Sequence, residues 1–151
     1  MAFNLFGRGI YWYGIIIAAG FLLAAVYCLK RAPKFGVTAD DLTDVLIFAT
    51  PVAIICARAF FVAFEWKQYV DDPVRALYIW DGGLAIYGGI VGALLTVLIV
   101  TSFKRINALA VMDIGALGLL IGQAIGRWGN FINREAYGSV TTLPWRMEIY
   151  N

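Results

Sequence analysis

The chain has 151 residues, of which 62% are hydrophobic and only 15% are charged, and its net charge is +2. An ordinary soluble domain has roughly a quarter of its residues charged, and a nucleic-acid-binding surface needs a basic run that this chain lacks. The chain has no histidine, so the commonest general base and metal ligand are missing, and its two cysteines lack metal-ligand spacing. This composition predicts an all-α integral membrane protein with no nucleic-acid partner.

Four apolar segments are long enough to cross a bilayer as helices. At about 1.5 Å per residue, such a segment spans the roughly 30 Å hydrocarbon layer. The segments that we predict as transmembrane helices lie at about 10–29, 43–64, 82–103 and 106–126. A polar segment at 127–151 follows them. We interpret residues 1–151 as a single transmembrane helical domain.

Small residues recur at intervals of four in the last two predicted helices. Gly88 and Gly92 form one such pair, and Gly118, Gly122 and Gly126 continue the spacing over two steps. Because small residues allow helix backbones to approach closely in lipid, this spacing predicts close helix packing.

The distribution of charged residues between the helices predicts the orientation of the chain. The short loops at 30–41 and 101–105 are basic, whereas the longer connection at 65–81 has more acidic than basic residues. Cytoplasmic loops carry an excess of lysine and arginine. We therefore expect both short loops in the cytoplasm, and the amino terminus and the segment after the fourth helix outside.

Polar residues cluster after the fourth apolar segment, in GRWGNFINREAYG at 126–138. If the helix continues past 126, one face contains Gln123, Arg127, Asn130 and Arg134. Arginine stays charged and offers a planar set of donors that suits phosphate oxygens, so this face predicts a binding site for a lipid phosphodiester. Alternatively, Arg127 extends from the helix end to the bilayer surface as a membrane anchor.

The same segment closely resembles the signature of the bacterial prolipoprotein diacylglyceryl transferases. Two further blocks resemble that family and occur in the family's order, namely WYG at 12–14 and WDGGLAIYGGIVGA at 80–93. The resemblance covers nearly the whole chain. Members of the family are longer than this chain, so we expect it to be the amino-terminal portion of a transferase.

The resemblance implies an enzyme of the bacterial plasma membrane that works at its outer face. Such an enzyme transfers a diacylglyceryl group from phosphatidylglycerol to the lipobox cysteine thiol of a preprolipoprotein. The transfer forms a thioether and releases glycerol 1-phosphate, so the implied partners are these two substrates and the lipid bilayer. Because the nucleophile is the thiolate of the substrate, the enzyme needs no cysteine, metal or organic cofactor of its own.

The resemblance also assigns substrate-binding residues. By position in the matching blocks, Arg127 falls on the arginine that holds the phosphatidylglycerol headgroup. The other residues that we expect to bind this lipid are Tyr13, Asn130, Gly138 and Arg58. An arginine such as Arg58 inside a membrane segment is also expected on physical grounds to be functional or paired.

The catalytic candidates are Arg127, Glu135 and Tyr87. Arg127 can stabilise the charge that develops on the phosphate leaving group. Some family members have histidine where this chain has Tyr87, so the general base stays open between Tyr87, Glu135 and the environment of the substrate itself, with Tyr87 preferred. Two non-enzymatic functions also stay open: a small transporter or channel lined by Arg58 and Arg127, and a non-catalytic membrane scaffold.

Overall fold

The computed structural model describes residues 3–5, 8–10 and 12–146. A short antiparallel hairpin pairs β1 (Phe3–Leu5) with β2 (Arg8–Ile10). Over the described residues, the rest of the regular structure is helical. The long helices are α1 (Trp12–Arg31), α2 (Ala39–Phe64), α3 (Ile86–Lys104) and α4 (Ala108–Asn133).

Each of these four helices is long and apolar enough to cross a bilayer. Large apolar side chains are exposed along all of them. Examples are Leu22 on α1, Ile55 on α2 and Leu120 on α4, which are 61–65% exposed. In water such exposure would be unfavourable, but in lipid these side chains face hydrocarbon of similar polarity. The all-α membrane fold predicted from the composition is therefore confirmed.

The helix ends differ from the predicted ones because local capping groups set them. α2 begins early, since the Thr38 hydroxyl accepts a hydrogen bond from the Asp41 amide at 3.0 Å and caps the helix. α4 begins after Asn107, whose side-chain oxygen accepts from the amide of Leu109 at 2.9 Å. α3 begins only at Ile86, because Gly82 and Gly83 have φ values of +84° and +75°, which a right-handed helix cannot contain.

The described chain forms two compact units, Met1–Cys28 with Gly115–Asn151, and Leu29–Ile114. In the first unit, α1 packs antiparallel against α4. A β-carbon at Gly118 would lie 2.9 Å from the Cys28 sulfur, and one at Gly20 would lie 2.9 Å from Cγ2 of Ile125. Glycine at both positions therefore permits the two backbones to approach closely.

In the second unit, α2 and α3 form an antiparallel hairpin. Gly88 and Gly92 lie against α2, where a β-carbon at Gly92 would be 2.7 Å from that of Cys56. At the far end of the hairpin, the Lys104 ammonium contacts carboxylate oxygens of both Asp41 and Asp44 at 2.6 Å. The two helices of the hairpin thus pack closely where α3 has glycine, and ion pairs join them at one end.

Gly88→Ala is expected to destabilise this hairpin by about 1–3 kcal/mol, the usual cost of overpacking. The new β-carbon would lie 2.5 Å from that of Phe60 and would also collide with the carbonyl oxygen of Cys56, which as helical backbone has little room to move. The measurement is the unfolding free energy in bicelles. Gly122→Ala is the matched control, since no described atom lies within 4 Å of its new β-carbon. Equal losses of stability in the two variants would contradict the packing described here.

Candidate functional site

The residues predicted to act on the substrate are distributed over both compact units. Tyr13, Arg127, Asn130, Glu135 and Gly138 belong to the first unit. Arg58 and Tyr87 belong to the second unit.

In the first unit, the final turns of α4 carry Arg127 and Asn130. α4 continues past the predicted end at 126 as far as Asn133, so both residues are helical. The Arg127 side chain is exposed, and among the described residues nothing forms a hydrogen bond or an ion pair with it. Its guanidinium donors are therefore not used within the described part of the chain. Trp128 is also exposed and packs edge-on against Phe131, with ring centroids 6.1 Å apart.

Tyr13 lies against this part of α4. A β-carbon at Gly129 would be 2.9 Å from Cδ2 of the Tyr13 ring, so the ring rests directly on the α4 backbone. Gly129 stands between Arg127 and Asn130 in the sequence. The structure therefore brings Tyr13 to the same stretch of α4 as the two residues predicted to bind the headgroup.

The end of α4 corrects the predicted polar face. The Glu135 amide donates to the Asn130 carbonyl at 3.0 Å and the Arg134 amide donates to the Phe131 carbonyl at 3.2 Å. This pair of hydrogen bonds is a Schellman motif, with Arg134 at the left-handed position (φ +54°) that usually favours glycine. Arg134 therefore leaves the helix, and the predicted polar face contains Gln123, Arg127 and Asn130 only.

Glu135 and Gly138 follow the helix in an exposed segment without regular structure. The Glu135 carboxylate accepts a hydrogen bond from the Asn133 side-chain amide at 3.2 Å. No described atom lies within 4 Å of a β-carbon built on Gly138. Within the described part of the chain, both residues are thus exposed. The last part of the predicted polar segment, 147–151, lies outside the described residues.

In the second unit, Arg58 is buried, with 6% of its surface exposed. Its Nε donates to the Ala76 carbonyl and its Nη2 to the Arg75 carbonyl, both at 2.8 Å. Its Nη1 donates to the carbonyls of Gly82 and Gly83. The Tyr69 ring lies 5.3 Å from the guanidinium carbon, within cation–π range.

Through these contacts the Arg58 side chain holds main-chain carbonyl groups in place, which its position within an apolar helix did not predict. Its guanidinium also lines an open cavity of about 190 Å³. Its predicted binding of phosphatidylglycerol stays a prediction. The sequence feature that could have indicated two of these contacts is the Gly82–Gly83 pair, because glycine permits both the turn and a close approach to its carbonyl groups.

Tyr87 lies in the first turn of α3 and is 71% exposed. Just before it, the Ala85 amide donates to the Ala57 carbonyl of α2 at 3.0 Å. The backbone just before Tyr87 is thus hydrogen-bonded to the neighbouring helix, whereas the phenol itself is largely exposed. An exposed phenol on a fixed backbone can meet a substrate without a large rearrangement of the chain.

Comparison with known proteins bears directly on this arrangement. A sequence model of the family described as prolipoprotein diacylglyceryl transferase matches residues 1–151. The chain belongs to the prolipoprotein diacylglyceryl transferase family. Family membership agrees with the resemblance drawn from the sequence, and it does not favour the alternatives of a transporter or a scaffold.

Relatives named phosphatidylglycerol–prolipoprotein diacylglyceryl transferase are similar over most of this chain. The protein from Clostridioides difficile is 46% identical over 145 residues, which are 96% of this chain and 58% of that protein. The Finegoldia magna protein is 44% identical over 149 residues, covering 99% and 60% respectively. The Halalkalibacterium halodurans protein is 46% identical over 133 residues, covering 88% and 46%. The chain thus spans about half the length of these bacterial relatives, and with its four helices it is a bacterial membrane protein.

Proposed function

We propose that this chain takes part in the transfer of a diacylglyceryl group from phosphatidylglycerol to the lipobox cysteine of a preprolipoprotein. One observation carries the proposal: in a member of this transferase family, Arg127 presents a guanidinium without a described protein partner at the end of a membrane-spanning helix. The phosphate of a lipid headgroup is the anion that such a position can meet. Arginine binds it through two parallel hydrogen bonds.

The chemistry that we propose is a displacement at carbon. The substrate thiolate forms a bond to the terminal carbon of the diacylglyceryl group, and the bond between that carbon and its phosphate oxygen breaks. The electron pair leaves on the phosphate, which departs as glycerol 1-phosphate. Arg127 stabilises the charge gained by the phosphate, and Asn130 and Tyr13 on the same stretch of the α1–α4 pair help to hold the headgroup.

The remaining residues have proposed roles in the same reaction. Tyr87 is the preferred general base, its phenolate oxygen taking the thiol proton, with the Glu135 carboxylate as the alternative. Gly138 keeps the segment after α4 open beside the lipid, which its lack of close described neighbours supports. The reaction needs no metal or organic cofactor, since the nucleophile and the leaving group both belong to the substrates.

A transfer assay tests this function. The chain is assayed in phosphatidylglycerol proteoliposomes, both alone and as a chimera in which it replaces the matching part of the Clostridioides difficile relative. The substrate is a lipobox peptide, and the product is the peptide with a thioether-linked diacylglyceryl group. We expect product from the chimera and matching release of glycerol 1-phosphate. A chimera that inserts normally but forms no product would overturn the proposal.

We further propose that the chain lies in the plasma membrane with the α2–α3 connection and the end of α4 outside. The support is the basic character of the two short loops. In a background of Cys28→Ala and Cys56→Ala, a membrane-impermeant maleimide is expected to label Val74→Cys on intact cells. It is expected to label Ala39→Cys only after permeabilisation, since both positions are exposed, but Ala39 is at the start of α2 and Val74 is in the connection that follows its end. The reverse pattern would contradict this orientation.

A further inference from the structure

The buried guanidinium of Arg58 joins two separate parts of the α2–α3 connection. Two of its hydrogen bonds go to the carbonyls of Arg75 and Ala76, within a 3-10 turn at Pro73–Leu77. Two others go to the carbonyls of Gly82 and Gly83, which immediately precede α3. Four of the five guanidinium N–H groups are thereby used on main-chain oxygens. Arg58 thus links the middle of the connection to its end.

The end of the connection determines where α3 starts. Beyond the glycines bound by Arg58, the Ala85 amide donates to the Ala57 carbonyl at 3.0 Å, and Gly88 lies flush against α2. Tyr87 is in this first turn of α3. Its exposed phenol forms no hydrogen bond or ring contact with the described residues. The position of the Tyr87 side chain therefore depends on the backbone that Arg58 holds.

We propose that Arg58 is a positioning residue for the transfer reaction: it fixes the first turn of α3 and with it the placement of Tyr87. This inference rests on the proposed function, in which Tyr87 meets the substrate thiol. Lysine cannot replace arginine here, because an ammonium group is a compact point donor and cannot reach carbonyls on both parts of the connection at once. A residue that only bound the lipid phosphate would retain much of its effect as lysine.

Gly83 offers an independent way to disturb the same contact. Its φ of +75° lies in the left-handed region, and a β-carbon there would be 2.6 Å from Cε1 of Phe61 and 2.8 Å from Nη1 of Arg58. Gly83→Ala therefore displaces the guanidinium and the Phe61 ring and strains the backbone at residue 83, while leaving Arg58 in the chain. Positioning by Arg58 predicts that Arg58→Lys and Gly83→Ala have the same effect, whereas phosphate binding by Arg58 predicts that they differ.

The test combines hydrogen exchange with kinetics. Backbone amide exchange at 82–89 is measured on the full chain in phosphatidylglycerol nanodiscs. The kcat and the KM for phosphatidylglycerol are measured in whichever preparation, the chain alone or the chimera, forms the product. Both variants are expected to exchange faster at 82–89 than the wild type. Both should lower kcat by about 100-fold, the scale of a small misplacement of a catalytic group. The KM for phosphatidylglycerol should stay within about twofold of the wild-type value, because Arg127, Asn130 and Tyr13, which are proposed to hold the headgroup, are unchanged.

The control is Lys67→Gln, which removes an exposed positive charge from the same connection and is expected to change neither measurement. Unchanged exchange in Arg58→Lys would overturn the inference, and so would a rise in KM confined to the Arg58 variant. Absence of transfer in the wild type would instead count against the proposed function. Exchange at 82–89 would then decide by itself whether Arg58 holds the start of α3.

Discussion

Arg127→Ala is expected to reduce diacylglyceryl transfer by about 100- to 1,000-fold, the usual effect of removing one preorganised donor from a developing negative charge. The guanidinium is exposed at the end of α4, and no described residue shares its donors. Its loss should leave the fold intact, because it takes part in no described hydrogen bond. The measurement is kcat for thioether formation in phosphatidylglycerol proteoliposomes.

Two further variants show whether the charge or its shape matters at this position. Arg127→Lys keeps the positive charge but loses the paired donors, and we expect activity between that of the wild type and that of the alanine variant. Lys30→Ala removes a basic residue from the last turn of another spanning helix, α1, and is expected to leave transfer unchanged. Near-normal activity in Arg127→Ala would leave membrane anchoring as the role of Arg127.

Tyr87→Phe is expected to lower transfer by about 100-fold or more at neutral pH, in the range typical of general acid–base catalysis. The phenylalanine ring preserves the shape of the exposed side chain and removes only the hydroxyl group. Glu135→Gln is the matched variant for the alternative base, and it too removes the function of the group while keeping its size. We expect Glu135→Gln to cause the smaller loss.

The pH dependence distinguishes a base from a residue that merely orients the substrate. A peptide thiol ionises with a pKa of about 8.5, so above that pH the substrate no longer needs a base. If Tyr87 accepts the thiol proton, the deficit of Tyr87→Phe should shrink as the pH rises through this value. A deficit that stays constant up to pH values about one unit higher would show that the hydroxyl group has another role.

The membrane fold could be predicted from the sequence because the hydrophobicity of many residues adds up along each spanning helix. Each spanning helix consists of many apolar residues, so its presence does not depend on any one contact. The family could be predicted for a related reason, since the signature at 126–138 combines several rare polar residues in a fixed order. Neither prediction required knowledge of which residues lie next to each other.

The helix ends and the partners of Arg58 could not be predicted in the same way. The start of α3 after Gly82–Gly83 and the cap at Thr38 each depend on a local hydrogen bond or on local dihedral angles. Arg58 binds carbonyl oxygens, which every residue has, so residue types alone do not identify its partners. Arg134 was expected to continue a helical face, but as a non-glycine residue it gave no sign of its left-handed conformation.

The contact of Lys104 with Asp41 and Asp44 has a consequence for how the chain is made. In the proposed orientation, Lys104 is one of the charges that keep its loop in the cytoplasm while the chain enters the membrane. Once α2 and α3 have paired, two carboxylates neutralise that same charge. In that orientation, Lys104 first helps to set the topology of the nascent chain. It then forms ion pairs that join α2 to α3 in the folded hairpin.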